Sequence, residues 1–136
     1  MTIPDASPTS SFAPGLFAGK TALVTGGGTG LGRAIATELA GLGANVVIAA
    51  RRADILETTA AEIKAATGAD IQVDLVDIKN RETVEALAER HTVDILVNNA
   101  GGQFPQKARD FSENGWKSVI DLNLNGTWAM TQVFGN

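Results

Sequence analysis

A glycine-rich loop near the start of the chain is the feature best suited to chemistry. The run TGGGTGLG at residues 25–32 follows a short apolar segment and precedes a segment with helical spacing. Such a loop between a parallel strand and a helix presents backbone N–H groups and the positive end of the helix dipole, which bind phosphate. Arg33 and Ala34 follow Gly32, so the Gly-Lys-Ser/Thr ending of ATP-hydrolysing P-loops is absent. The sequence therefore predicts a site for a phosphate-bearing cofactor.

Two arginines follow the next apolar run, at residues 45–50. In dinucleotide-binding folds an acidic residue about 20 residues beyond the glycine loop accepts a hydrogen bond from the adenosine 2′-OH and repels a 2′-phosphate. This chain has Ala50 there, followed by Arg51 and Arg52. Guanidinium groups form paired hydrogen bonds with phosphate. The pattern favours NADP(H) over NAD(H), with Arg51 as the first candidate for the phosphate partner and Arg52 as the second.

Alternating strand-like and helical segments must position these residues. Apolar runs of strand length lie at 21–25, 45–50, 71–75 and 93–97, and helical spacing is found at 31–42, 53–67, 80–90 and from Ser112 onward. Regular alternation of this kind requires parallel strands joined by right-handed crossovers. It predicts an α/β fold with a Rossmann-type, doubly wound parallel sheet of strand order 3-2-1-4. Residues 1–15, rich in Pro and Ser, are predicted to form a tail before one domain at 16–136.

Composition excludes several classes of function. The 136 residues carry a net charge of −4 and contain no cysteine and a single histidine. An acidic chain lacks the positive field that nucleic-acid binding needs, and the residue counts disfavour disulfides and a metal site. No apolar stretch approaches the roughly 18 residues of a membrane span, and residues 1–11 lack the features of a signal peptide. We therefore expect a cytoplasmic protein without nucleic-acid or membrane partners.

Three motifs, in this order on these elements, resemble the short-chain dehydrogenase/reductase family: the glycine loop, Asp74 after the third strand, and NNAG at 98–101 after the fourth. The resemblance covers about residues 16–136. It implies that Asp74 accepts the adenine amino group, that Leu75 lines the adenine pocket, and that Asn99 supports the structure. Together with the two arginines, the expected cofactor-binding residues are Thr25, Gly26, Thr29, Gly30, Leu31, Gly32, Arg51, Arg52, Asp74, Leu75, Asn98, Ala100 and Gly101.

The segment DLNLNG at 121–126 resembles the stretch that carries the family's helix asparagine, which helps to hold a water in the proton relay. The match assigns a catalytic role to Asn123, although an asparagine on an amphipathic helix is often only a solvated residue. Residues 98–104 and the pair Gly115-Trp116 are most similar to the branch of peroxisomal trans-2-enoyl-CoA reductase and bacterial citronellol dehydrogenases. Trp116 and Trp128 are expected to pack on a helix face.

The catalytic tyrosine of the family has no counterpart here, because the chain contains no tyrosine. The resemblance thus implies the N-terminal, cofactor-binding half of an NADP(H)-dependent oxidoreductase that acts on a carbonyl, alcohol or enoyl-CoA substrate. The 136 residues alone are expected to be inactive. A non-catalytic nucleotide-binding module and a pseudo-enzyme that acts as an interaction partner remain alternatives. The last helix is rich in apolar residues and predicts a homo-oligomer.

Overall fold

The computed structural model describes residues 10–135, so most of the predicted tail lies outside the described residues. The strands are β1 (Thr21–Thr25), β2 (Asn45–Ala50), β3 (Ile71–Leu75) and β4 (Ile95–Val97). The helices are α1 (Gly30–Gly41), α2 (Ala53–Thr67), α3 (Arg81–Arg90), α4 (Glu113–Ile120) and α5 (Thr127–Phe134), with a 3₁₀ turn at Ala108–Asp110 and a π-helical segment at Asp121–Gly126.

The four strands form one parallel sheet in the order β3-β2-β1-β4, as predicted. In the register, Thr25 pairs with Ala49 of β2, and Val24 pairs with Val97 of β4. From β1 the sheet grows in one direction through β2 and β3 and in the other direction through β4, so the switch point of the topology lies between β1 and β4. Ligands of open α/β sheets bind at such a point, beyond the carboxyl ends of the strands. The glycine loop after β1 and the NNAG run after β4 therefore lie on the two sides of this point.

The two central strands, β1 and β2, are buried on both faces, which explains their near-continuous apolar runs. On one face Val24 and Ile48 pack with Ala36 of α1 and Leu56 of α2. On the other face Leu23 and Val47 pack with side chains of α3 and with Met130 of α5.

The last helical stretch begins after Ser112 and runs to Phe134, as predicted, but it contains a π-helical segment that the sequence did not predict. Ser112 does cap its beginning, and its Oγ accepts the Gly115 N–H at 3.0 Å. The helix then widens into the π-helical segment before α5 begins. Gly126 in that segment lies so close to Ile78 that a Cβ would fall 2.8 Å from two of its side-chain atoms. The π-helical segment therefore packs closely against Ile78, a contact that helical spacing in the sequence does not reveal.

The N-terminal part of the described chain runs along the end of α1. Residues 11–16 are exposed, and Phe17 packs against the core while its N–H donates to Leu42 O at 3.0 Å. The boundary between tail and domain at residues 15 and 16 remains a prediction. Within residues 10–135, none of the helices is both long and apolar enough to span a membrane.

Candidate cofactor-binding site

The glycine loop turns sharply between β1 and α1. Gly26 and Gly30 adopt positive φ angles of 64° and 53°, which residues other than glycine rarely adopt. The Gly26 N–H donates to Ala49 O at 2.8 Å, so the loop starts as a continuation of the sheet. A Cβ added at Gly30 would meet no atom within 4 Å, which leaves open space next to the start of α1.

Gly32 is the point of closest contact between α1 and the loop. A Cβ at this position would lie 2.3 Å from Gly26 O and 2.4 Å from Asn99 Nδ2. Any side chain would push the first turn of α1 away from the strand ends. Glycine is therefore required here for packing, which brings the helix N-terminus close to the sheet.

The first turn of α1 keeps its backbone donors available for a ligand. Thr29 is the N-cap residue, but its side chain makes no capping hydrogen bond to the helix. The leading N–H groups of a helix have no partner within the helix, and they carry the positive end of its dipole. Leu31 in this turn is 77% exposed, so the turn is open to solvent. Together these features form a cradle for an anionic group such as a pyrophosphate.

Thr25 and Asn99 join the glycine loop to the NNAG run. The buried Thr25 hydroxyl accepts the N–H groups of Asn99 and Ala100 at 3.1 and 3.0 Å and donates to Val97 O at 3.3 Å. The Asn99 amide donates to Thr25 O at 3.0 Å and to Gly26 O at 3.2 Å. Asn99 therefore has the supporting position that the sequence predicted, and Ala100 lies beside the loop.

Arg51 faces a shallow cavity of about 320 Å³ beyond the carboxyl ends of β2 and β3. Leu75 and Asp77 line the same cavity. Arg52, in contrast, is the N-cap residue of α2, and its guanidinium pairs with Asp54 at 2.8 Å. The two arginines thus have different environments: the structure brings Arg51 to the cavity, and it gives Arg52 a partner on α2.

Asp74 is not brought to this cavity. Its carboxylate accepts hydrogen bonds from Arg90 at 2.8 and 3.0 Å and lies 2.7 Å from His91 Nε2, at the end of α3. Burial raises the pKa of this carboxyl, but the hydrogen bonds from Arg90, His91 and the Leu75 N–H outweigh it and lower the pKa to about 2. Asp74 connects β3 to α3, and both of its oxygens already have partners.

Asp77 was not among the predicted site residues, yet it is an acidic residue that lines the Arg51 cavity. The pairing of β3 continues one residue past its assigned end, because the Val76 N–H donates to Ala50 O at 2.9 Å. Asp77 follows directly and lines the Arg51 cavity, and its N–H donates to Thr83 Oγ1 at 3.1 Å. The sequence contained one signal for this position: Asp77 is a second acidic residue, separated from Asp74 by the apolar pair Leu75-Val76, and it therefore lies beyond the end of the strand.

Asn98 and Asn123 both direct their amides to partners within the chain. The Asn98 amide donates to Thr131 Oγ1 on α5 at 3.0 Å. The Asn123 amide donates to Gly102 O at 2.7 Å and to Val119 O at 2.9 Å, and its oxygen accepts the Gly102 N–H at 3.1 Å. A Cβ at Gly101 would lie 2.7 Å from that oxygen. Asn123 therefore holds the loop after the NNAG run.

Proteins of known name are similar to this chain in sequence and in structure. The chain is 44% identical over 128 residues to a probable 2,4-dienoyl-CoA reductase of Caenorhabditis elegans, covering 89% of this chain and 41% of the relative. Its structure is similar to a citronellol catabolism dehydrogenase of Pseudomonas aeruginosa, with a TM-score of 0.85 and 42% identity over 92% of this chain and 53% of that one.

An alcohol dehydrogenase of Thermococcus sibiricus, solved in complex with 5-hydroxy-NADP, is also similar, with a TM-score of 0.79 and 32% identity over 85% of this chain and 51% of that one. The chain thus spans about half the length of the relatives that it matches. A family model described as short chain dehydrogenase matches residues 20–135. Since this match includes most of the sequence, the chain belongs to the short-chain dehydrogenase family.

Proposed function

We propose that this chain is the NADP(H)-binding half of an oxidoreductase that transfers a hydride to or from a carbonyl, alcohol or enoyl-CoA substrate. The observation that carries the proposal is the glycine cradle at the sheet's switch point, together with the Arg51 cavity beyond the ends of the neighbouring strands β2 and β3. The related reductase and dehydrogenase, named for enoyl-CoA and citronellol chemistry, support the choice of substrate class.

The residues at the switch point fit a dinucleotide. The glycine loop and the open first turn of α1, at Thr29, Gly30 and Leu31, would hold the pyrophosphate through backbone N–H groups. In place of Asp74, Asp77 would accept the adenine amino group, with Leu75 on the wall of the adenine pocket. When bound, the nicotinamide supplies or receives the hydride, and the chain binds and orients the cofactor.

The preference for NADP(H) rests on Ala50 and Arg51. Ala50 offers no carboxylate to the 2′-OH of adenosine, and the Arg51 guanidinium lies at the cavity where a 2′-phosphate would be placed. Because the Arg52 guanidinium is paired with Asp54, we assign the phosphate contact to Arg51 alone. The solved relative that carries an NADP derivative is consistent with this choice.

The 136 residues alone are proposed to bind cofactor without turning substrate over. The chain has no tyrosine to act as the proton donor of the family, and an asparagine amide such as Asn123 does not titrate near neutral pH. Loss of general acid catalysis costs about 10²–10⁴-fold in rate. The lack of a tyrosine equally favours the second candidate, a non-catalytic nucleotide-binding module.

An assay of the 136-residue chain beside the whole protein separates these candidates. Both are tested for binding of NADPH and NADH and for turnover of an enoyl-CoA, a ketone and an aldehyde. We expect the chain to bind NADPH weakly without turnover, and the whole protein to be active with NADPH. Turnover by the short chain at the rate of the whole protein would contradict the proposal that the 136 residues lack the proton donor. A whole protein that binds NADPH but oxidises and reduces nothing would favour the non-catalytic module.

We further propose that the protein self-associates through α4, the π-helical segment and α5. Trp116, Leu124 and Trp128 of this region are 63%, 61% and 59% exposed, although the tryptophans were expected to pack. The Trp128 ring does contact the Arg81 guanidinium at 5.8 Å, but it is not part of the core. Large apolar side chains exposed on one helical region are typical of a surface that another subunit covers.

A further inference from the structure

Helix α2 contacts the glycine loop through a buried threonine. Thr59 is 3% exposed, and its hydroxyl donates to Gly28 O at 2.6 Å, across 31 positions of sequence. The loop lies directly against the helix at this point, because a Cβ at Gly28 would fall 2.9 Å from Ile55 Cγ2 and 3.4 Å from Leu56 Cδ2. The middle of the loop therefore has one specific side-chain partner on α2.

Among the described residues, Thr59 is one of two helical threonines whose hydroxyls donate outside their own helix; the other, Thr83, donates to Asp77 O and Asn80 O in the segment just before α3. A helical threonine commonly donates to the carbonyl four residues earlier in its own helix. Thr37, Thr58, Thr67 and Thr131 all do so, at 2.8 to 2.9 Å. Thr59 directs its hydroxyl out of α2 to the glycine loop instead. This direction gives Thr59 a role outside the helix to which it belongs.

The bond to Gly28 O determines the orientation of the next amide. A trans peptide is planar, so the carbonyl of Gly28 and the N–H of Thr29 point in opposite directions. By holding the carbonyl toward α2, Thr59 turns the Thr29 N–H away from α2. Successive glycines have many accessible backbone conformations, and a fixed peptide plane removes part of that freedom before a ligand binds.

We propose that Thr59 is a positioning residue for the cofactor, resting on the dinucleotide binding proposed above. Its hydroxyl holds the Gly28–Thr29 peptide in the orientation that presents the Thr29 N–H to the pyrophosphate. The loss of this hydroxyl weakens the binding of any ligand that carries a pyrophosphate. A purely structural threonine would instead affect the stability of the fold and leave the affinity of the folded protein unchanged.

Titration of the ¹⁵N-labelled 136-residue chain with ADP and NADP⁺, followed by NMR, tests this role. ADP is the probe for the adenosine and the pyrophosphate together, since it has neither a 2′-phosphate nor a nicotinamide. Thr59→Val replaces the hydroxyl by a methyl group at nearly constant shape. Thr59→Ser and Thr59→Ala both remove the methyl group, and only the serine keeps a hydroxyl. Thr58→Val is the matched control, because the exposed Thr58 hydroxyl bonds only within α2.

We expect Thr59→Val to raise the Kd for ADP about fivefold, as the loss of one hydrogen bond implies, and to reduce the ADP-induced shift of the Thr29 amide signal. Thr59→Ser and Thr58→Val should bind like the wild type. If Thr59→Val fails to fold, the serine and alanine variants give the same comparison, with weaker binding in the alanine variant. Equal Kd values for folded variants with and without the hydroxyl would overturn the positioning role alone. A wild-type chain whose loop signals respond to neither ADP nor NADP⁺ would overturn the proposed function, and this inference with it.

Discussion

Asn123 of the π-helical segment pairs with Gly102 in both directions. Its amide donates to Gly102 O at 2.7 Å, and its side-chain oxygen accepts the Gly102 N–H at 3.1 Å. The same amide also donates to Val119 O at 2.9 Å, four residues earlier in the chain. One side chain thus connects the widened helix to the loop that follows the NNAG run, beside the candidate cofactor site.

Replacement of Asn123 should loosen this loop. Asn123→Ala removes both bonds to Gly102 and is expected to cost about 1 kcal/mol of unfolding free energy. Asn123→Asp should cost more at neutral pH, because a carboxylate oxygen would face two carbonyl oxygens. The measurements are urea unfolding and hydrogen exchange of the Gly102 amide. Asn125→Ala is the control, since Asn125 bonds only to Asp121. Equal unfolding and exchange in all three variants would contradict the role.

The close contact at Gly32 predicts a second effect. Gly32→Ala forces a methyl group toward Gly26 O and Asn99 Nδ2, at 2.3 and 2.4 Å, and should destabilise the fold by about 1–3 kcal/mol. Gly41→Ala in the same helix meets no atom closer than 3.9 Å and should be neutral or stabilising by up to about 1 kcal/mol. Thermal and urea unfolding of the two variants measure the difference. The prediction is wrong if Gly32→Ala is as stable as Gly41→Ala.

The sequence predicted the sheet well because its strands have a simple physical signature. Val46 to Ala49 are buried on both faces, which requires a continuous apolar run, and the helices between strands leave only parallel connections. The supporting role of Asn99 was implied by the family resemblance, and its hydrogen bonds to Thr25 O and Gly26 O agree with that role. The prediction of the sheet depends on local pattern and on topology alone.

The remaining features depend on contacts that the sequence pattern does not specify. The pattern did not show that β3 pairs as far as Val76, whose N–H donates to Ala50 O, or that Asp77 lines the Arg51 cavity. The pairing of the exposed Arg52 with Asp54 was also not predicted, and a cofactor role of Arg52 stays a prediction. The π-helical segment contains Asn123 and Gly126, which contact Gly102 and Ile78 in other segments. Helical spacing carries no information about any of these contacts.

Arg51 should determine the choice between the two dinucleotides. A charge-assisted contact to the 2′-phosphate contributes about 1.5–3 kcal/mol, which is about one to two decades in affinity. Arg51→Asp is therefore expected to weaken NADPH binding by that factor in the whole protein and to favour NADH. Arg52→Asp, which changes the charge equally at a position already paired with Asp54, should have a much smaller effect. Equal affinity of the wild type for both dinucleotides would refute the assignment.

Self-association through the α4–α5 region predicts a concentration-dependent mass. Sedimentation velocity of the wild type should give species heavier than the 14.1 kDa chain as concentration rises. The double variant Trp116→Lys, Leu124→Lys places two charges on the exposed apolar surface and should sediment as a monomer. Phe12→Lys is the control, because Phe12 is equally exposed, at 60%, but lies in the N-terminal segment. A wild type that is monomeric at all concentrations contradicts the proposal.

Asp74 should make the stability of the fold depend on pH under acidic conditions. Its pKa is about 2 in the folded chain and about 3.9 when unfolded, so its contribution is complete above pH 4 and is lost as pH falls toward 2. Allowing for its partial exposure, we expect the wild type to exceed Asp74→Asn by about 1–2 kcal/mol at pH 6. That difference should shrink toward zero between pH 4 and pH 2. Urea unfolding of both proteins across this range measures it, and effects of the other carboxyl groups largely cancel in the subtraction. A difference that stays constant from pH 6 to pH 2 would show that the Asp74 carboxylate does not stabilise the link between β3 and α3 through its charge.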